Sequence, residues 1–285
     1  LGKALVVGRE ADVRELLTAN GLSDAIRELE VVNAANTRHL ETYKDFLYKR
    51  LQRKGYDQKD IHRLAARDRH VFSALMLAHG HGDGLVTGAT RKSAHVLEQI
   101  NHVFDAQPHD GAVGVTAVLI RGRIVLIADT LVHEWPDEED LADIAERAAS
   151  VARGLGLVPR VAFASFSTFG YPVSERATKM HLASDALDKR HVDFEYDGEM
   201  TVDVALNPDQ MKHYPFCRLT GPANVLVVPA RHSASISTKL LQELGGATVI
   251  GPILTGVDKP VQIISTGSTV NDILNMAAIS ACNIG

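Results

Sequence analysis

Short β-branched runs alternate with amphipathic helical stretches along the whole chain, from LGKALVVG at its start to the apolar segment before Cys282. That rhythm narrows the architecture more than any other property. Near-continuous apolar strands separated by helices predict an α/β fold with a mostly parallel sheet covered on both faces. Strands are expected at 4–7, 84–86, 113–120, 124–128, 160–165, 225–228 and 249–250. Helices are expected at 10–19, 43–54, 57–79, 92–100, 138–154, 174–187, 233–244 and 270–282. Asp137-Glu138-Glu139-Asp140 places acid where a helix N-terminus favours it. The strands at 113–120 and 124–128, joined by Arg121-Gly122-Arg123, read as a hairpin. The hairpin breaks the βα rhythm and marks a crossing into a second domain, with a return near Gly245-Gly246.

At 285 residues the chain can bury a substantial core in one large or two medium domains. A net charge of −5 gives no electrostatic reason to expect nucleic acid or an anionic membrane as partner. No apolar run approaches the roughly 20 residues needed to span a bilayer. Cys217 and Cys282 show neither metal-ligand spacing nor a disulfide framework, so a reducing cytoplasm is the expected location. LGKALVVG has no initiator Met, basic segment or apolar segment of a secretory signal, and reads as a strand entered in mid-course. The expectation is a portion of a longer polypeptide; a trimmed start is the plainer alternative.

Several stretches carry candidate chemistry. Ser265-Thr266-Gly267-Ser268 precedes an apolar helix, and Asp272 follows; small residues there suit an anion because the first helical N–H groups lack partners. The loop adds no cation of its own, so a simple helix cap remains open. The run from Gly82 to Ala89, containing Thr87 and Gly88, is a strand closing on small residues; it reads as a ligand edge or a tight turn. Ser165, Ser167 and Thr168 end another strand, where they could hold a carbonyl or phosphate oxygen or simply cap the loop. His79-Gly80-His81 and His95 match no metal-ligand spacing, and no metal site is expected. Arg50, Arg53 and Lys54 read as a solvated helix C-terminus. There is no Gly-X-Ser-X-Gly elbow, Walker loop or Gly-X-Gly-X-X-Gly.

Taken together, these stretches resemble the phosphate acetyltransferase (phosphotransacetylase) family. The match rests on Asp83-Gly84-Leu85-Val86-Thr87-Gly88-Ala89, Ala128-Asp129-Thr130, Ser165-Phe166-Ser167-Thr168-Phe169-Gly170, Asp197-Gly198-Glu199, the run from Ala223 to Pro229, Gly251-Pro252-Ile253-Leu254, Gly256, Lys259-Pro260 and Ser265. The resemblance implies a phosphotransacetylase or isocitrate dehydrogenase-like fold: two α/β domains with a cleft between them, and a dimer. One domain would comprise 1–115 with 248–285, the other 116–247. A finer resemblance, to the C-terminal phosphotransacetylase-like domain of bacterial hybrid NADP-dependent malic enzymes, rests on two runs. They are Ile127 to Pro136, and Ser167-Thr168-Phe169-Gly170 with Ser174-Glu175-Arg176-Ala177-Thr178-Lys179-Met180.

The departures bear on chemistry. The family's cleft arginines fall here at Leu51, Glu98 and Thr266, while its serine and acid persist as Ser265 and Asp272. An asparagine-rich loop has become Arg231-His232-Ser233-Ala234-Ser235. Losing one oxyanion donor costs on the order of 10²–10³ in rate, and losing two or three cations costs more. Binding a thioester is less demanding. The expectation is therefore a regulatory, catalytically silent domain that binds acetyl-CoA as an allosteric inhibitor and dimerises, within a higher oligomer of the complete enzyme. Its expected acyl-CoA site comprises Thr87, Gly88, Ser165, Ser167, Thr168, Ser265, Thr266, Gly267, Ser268 and Asp272, with no cofactor resident. NADP and Mg2+ or Mn2+ would belong to an N-terminal portion outside this chain. An active acyltransferase and a purely structural oligomerisation domain are the alternatives.

Overall fold

The computed structural model describes residues 2–104 and 111–282, so Leu1 of the opening stretch lies outside it. In chain order the elements begin with β1 (Leu5–Val7), α1 (Glu10–Ala19), β2 (Glu30–Val32), α2 (Leu40–Leu51) and α3 (Gln58–Arg67). Next come α4 (Arg69–Ala78), β3 (Leu85–Gly88), α5 (Ser93–Asn101), β4 (Val113–Ile120), β5 (Arg123–Ala128) and α6 (Glu138–Gly154). The middle continues through β6 (Arg160–Ala164), α7 (Glu175–Arg190), β7 (Glu195–Met200), α8 (Val202–Leu206) and α9 (Pro208–Met211). Finally β8 (Val225–Val227), α10 (Arg231–Glu243), β9 (Thr248–Thr255), β10 (Val261–Ile264) and α11 (Val270–Ala281) complete the chain.

The strands form a six-stranded sheet ordered β7-β6-β8-β5-β4-β9 and two parallel pairs, β3 with β10 and β1 with β2. In the large sheet β5, β8, β6 and β7 are parallel, and β4 runs against both β5 and β9. The expected mostly parallel α/β architecture is the observed one. Both faces of the large sheet are covered, which is why β4, β5, β6 and β8 are largely apolar without alternation. On β6, Val161 and Phe163 pack with Leu141, Ile144 and Met180 of α6 and α7. Ala162 turns the other way, to Met200 and Val204, and Ala164 to Val228 and Ala234. Helix α6 approaches the sheet closely because Ala142, Ala145, Ala148, Ala149 and Ala152 line its buried side. Its start is fixed by an Asp137–Asp140 capping box.

A second core lies among α2, α3, α4 and α5, where Tyr43, Leu47, Ile61, Phe72, Leu75 and Ile100 pack beneath Val261 and Ile263 of β10. The passage between cores is built by β4 and β9. Gln262, 1% exposed, joins β10 to β9 by a side-chain amide that mimics a peptide group: Leu254 N–H donates to its Oε1 at 2.9 Å and its Nε2 donates to Leu254 O at 3.1 Å. The expected domain division at 115/116 falls inside β4, and residues 248–255 form an edge strand of the large sheet.

Four local expectations change. The helix expected at 57–79 breaks at Asp68, whose extended backbone ends α3 and whose carboxylate accepts the His70 and Val71 N–H groups to start α4. The strand expected at 249–250 is much longer, because Gly251-Pro252 sits opposite a register shift between Val115 and Ala117. Gly251 has φ 132°, and a Cβ there would lie 2.9 Å from Val115 O, so the irregularity needs glycine. The strands β2, β7 and β10 are absent from the expected pattern, as are the short helices α8 and α9. No helix among the described residues is long and apolar enough to cross a membrane.

Candidate functional site

The ten expected ligand residues form two groups. The first gathers where β3 and β10 end side by side, with Thr87 opposite Ile263 and Gly88 opposite Ile264. Gly88 takes φ 125°, and a Cβ would lie 2.1 Å from Ile264 O, so no other residue allows this approach. Ser265 follows directly. Its hydroxyl is 3.2 Å from Ser268 Oγ, which also accepts the Ser265 N–H at 3.0 Å, closing a small turn through Thr266 and Gly267. Asp272 belongs to a capping box: its Oδ2 accepts the Thr269 N–H at 2.7 Å and the Thr269 hydroxyl at 2.9 Å. The Thr87 hydroxyl is 2.7 Å from Nδ1 of His70, on the first turn of α4. Burial is the main influence pushing the His70 pKa down; Asp68 opposes it, and His95, Arg91 and Arg69 are near enough to reinforce it.

The second group stands on the other sheet, where β6 ends. Ser167 is fully buried and donates to Glu199 Oε1 at 2.9 Å, the oxygen that also accepts the Gly170 N–H at 2.6 Å. The Ser165 hydroxyl accepts the Ser167 N–H, and Thr168 bonds to Thr201 through its hydroxyl. These groups fasten the turn after β6 to the end of β7. Among the described residues no hydrogen bond joins the two groups.

Three buried carboxylates, all inside stretches quoted above, were not among the expected site residues. Asp129, 1% exposed, accepts backbone N–H groups from Gly114, Leu131, Val132 and His133, and the His133 ring Nδ1 at 2.7 Å. That ring bond, countered by burial, raises the His133 pKa. Asp197 accepts the Gly198 and Arg218 N–H groups. Glu199 has its second oxygen 3.6 Å from His181 Nδ1. The signal in the sequence was only the short motifs themselves; nothing in a charged letter announces burial.

Two cavities open near the carboxyl ends of the large sheet's parallel strands. One, of about 500 Å³, is lined by Ser167, His181, Glu199, Arg218, Phe169 and Phe216. The other, of about 540 Å³, lies between Trp135, Arg176, Lys179 and His232. Neither is lined by Thr87 or Ser265. Of the positions where the resemblance places arginines, Leu51 is 1% exposed within the helical core, Glu98 projects from α5 beside His95, and Thr266 is exposed on its loop.

The chain matches the family model of phosphate acetyl/butaryl transferase over residues 1–281. It is 53% identical, over its full length, to an NADP-dependent malic enzyme of Rhizobium meliloti, of which it covers 38%. With the phosphate acetyltransferase of Corynebacterium glutamicum it shares 31% identity over 98% of this chain and 85% of that protein. A phosphotransacetylase structure from Streptococcus pyogenes superposes with a TM-score of 0.89 at 29% identity, covering 98% of this chain and 84% of that one. The EutD phosphotransacetylase from Staphylococcus aureus gives 0.86 at 27% identity, covering 99% and 86%. The chain thus spans little more than a third of the malic enzyme it matches.

Proposed function

The chain belongs to the phosphate acetyl/butaryl transferase family, and from that premise we propose that it is a catalytically silent acyl-CoA sensor within an NADP-dependent malic enzyme. Acetyl-CoA is the effector on this reading, an allosteric inhibitor, and a second copy of the chain is the partner. NADP and a divalent metal would be held elsewhere in the longer enzyme.

The observation that carries this reading is the state of Ser265. Its hydroxyl is bonded to Ser268, and the nearby carboxylate of Asp272 is occupied by the helix cap. Transfer of an acetyl group to phosphate builds negative charge that fixed cations must meet. At the three positions expected to supply them stand a buried Leu51, an acidic Glu98 and a neutral Thr266. Holding a thioester demands no such complementarity, only a groove and hydrogen-bond donors. Inhibition then requires that acetyl-CoA favour one arrangement of the assembly over another, since equal affinity for both shifts nothing.

Pairing is supported by an exposed apolar patch around the exit of β6, where Phe166, Tyr171, Val173 and Phe216 are 62%, 82%, 82% and 65% exposed. One observation favours an active transferase instead: Arg69 and Arg91 lie close enough to His70, beside Thr87, to act on it electrostatically. Calorimetric titration of acetyl-CoA into the chain, run beside a thiol-release assay with acetyl phosphate, decides between these. Binding heat without turnover is expected. Turnover abolished by Ser265→Ala with the fold intact overturns catalytic silence, and no heat at millimolar acetyl-CoA removes the sensor.

A further inference from the structure

Three stretches that set this sequence apart are distant in the chain: Glu134-Trp135-Pro136, Glu175 to Met180, and His232-Ser233. One cavity of about 540 Å³ gathers all of them. We infer that this cavity binds an adenine nucleotide, with the base stacked on Trp135 and the phosphates held by Arg176 and Lys179. The occupant is the nucleotide end of coenzyme A, an assignment that rests on the acyl-CoA reading above.

Trp135 is 74% exposed, an expensive position for the largest side chain unless something covers it. The Arg176 guanidinium sits 5.3 Å from the centre of its ring, so a flat cation already marks one edge of the stacking surface. Below lie Met180, Leu141 and Pro136, all buried, which gives a base an apolar floor. Several cations elsewhere in this half of the chain are answered by carboxylates, Arg153 by Asp193, Arg190 by Glu139, Asp143 and Glu146, and Arg218 by Asp188. Arg176 and Lys179 have no carboxylate partner among the described residues. Two acids line the cavity: Glu134 is drawn off by Arg231 at 3.6 Å, and Glu175 stands in the first turn of α7, where the helix N-terminus favours it. The volume falls in the range of about 300–1,000 Å³ usual for small-molecule sites. A planar base beside multiple phosphates is the ligand chemistry that an indole, an unpaired guanidinium and an unpaired ammonium recognise together.

The chain contains a single tryptophan, so its emission reports on this cavity alone. The experiment titrates acetyl-CoA, the adenosine bisphosphate fragment of coenzyme A, acetyl-pantetheine and NADP into the chain, following tryptophan emission and heat. Saturable quenching by acetyl-CoA and by the bisphosphate, none by acetyl-pantetheine, and affinity for both lowered about tenfold or more by Arg176→Ala with Lys179→Ala is the expected result. Both substitutions are on a helix surface, and far-ultraviolet circular dichroism checks the fold. Acetyl-CoA heat with unmoved emission, insensitive to the double variant, overturns this site while leaving the sensor reading intact. Bisphosphate quenching without any acetyl-CoA binding sinks the sensor reading and keeps a nucleotide site here. Tighter binding of NADP than of acetyl-CoA overturns the coenzyme A assignment, and silence from all four ligands overturns the site.

Discussion

Asp129 receives four backbone N–H groups and one imidazole on a carboxylate that is almost wholly enclosed. Such a hub is stable because every lone pair that burial strips of water is answered by a donor. It also favours the charged form of His133, since the ring bond raises the His133 pKa above the ordinary value of about 6.5. A raised folded-state value means the folded chain binds that proton more tightly than the unfolded one. The contribution to stability is therefore full below pH of about 6.5 and is lost as pH climbs through the raised value. Thermal melts across that range should show the midpoint falling more steeply in the native chain than in His133→Gln; parallel profiles would contradict the assignment. His70 acts in the opposite sense, because burial lowers its pKa and its share disappears as pH falls, which is why the comparison is with the variant. At this scale the sequence exposed the hydroxyls at strand ends, since Thr87 stands beside Gly88 and Ser265 opens a run of small residues before α11. It concealed Asp129, Asp197 and Glu199, because a carboxylate's burial depends on backbone donors supplied from other strands.

Among elements, the bond between β10 and β9 depends on one side chain. Gln262→Leu keeps the volume but leaves the buried N–H and C=O of Leu254 without partners, at a cost of about 2–4 kcal/mol. Chemical denaturation should register that loss, and a change within error would show that water replaces the amide. Elements with a clean period were legible: α1, α6 and β4 lie where the pattern puts them. Those that defy it were not. In β7 the inward positions include Asp197 and Glu199 rather than apolar residues, and β10 is four residues with a glutamine at their centre. The break at Asp68 hid inside an uninterrupted helical pattern, because a cap can begin one helix while ending another. In β9 the Gly251-Pro252 pair reads as a terminator, and only the facing register of β4 reveals it as an irregularity within a longer strand.

For the molecule as a whole, the proposed pairing has a direct test. Tyr171→Glu with Val173→Glu places charge at the most exposed part of the apolar patch, which no stable interface tolerates unpaired. Sedimentation equilibrium should find the native chain dimeric and the variant monomeric, with acetyl-CoA heat retained; a variant that sediments as a dimer excludes the patch from the interface. The α/β class was readable because apolar strands between helices admit few other arrangements. The six-stranded sheet extends across the line drawn from hairpin and glycine signals, because β9 pairs with β4.

The chain passes between its helical lobe and its large sheet along β4 and back along β9, and these two strands are each other's neighbours. Both legs of the crossing are thus laced into one narrow ribbon, with Gln262 as a clasp at its end. Sliding one lobe past the other would unlace it, whereas a gentle wringing of the ribbon keeps every rung.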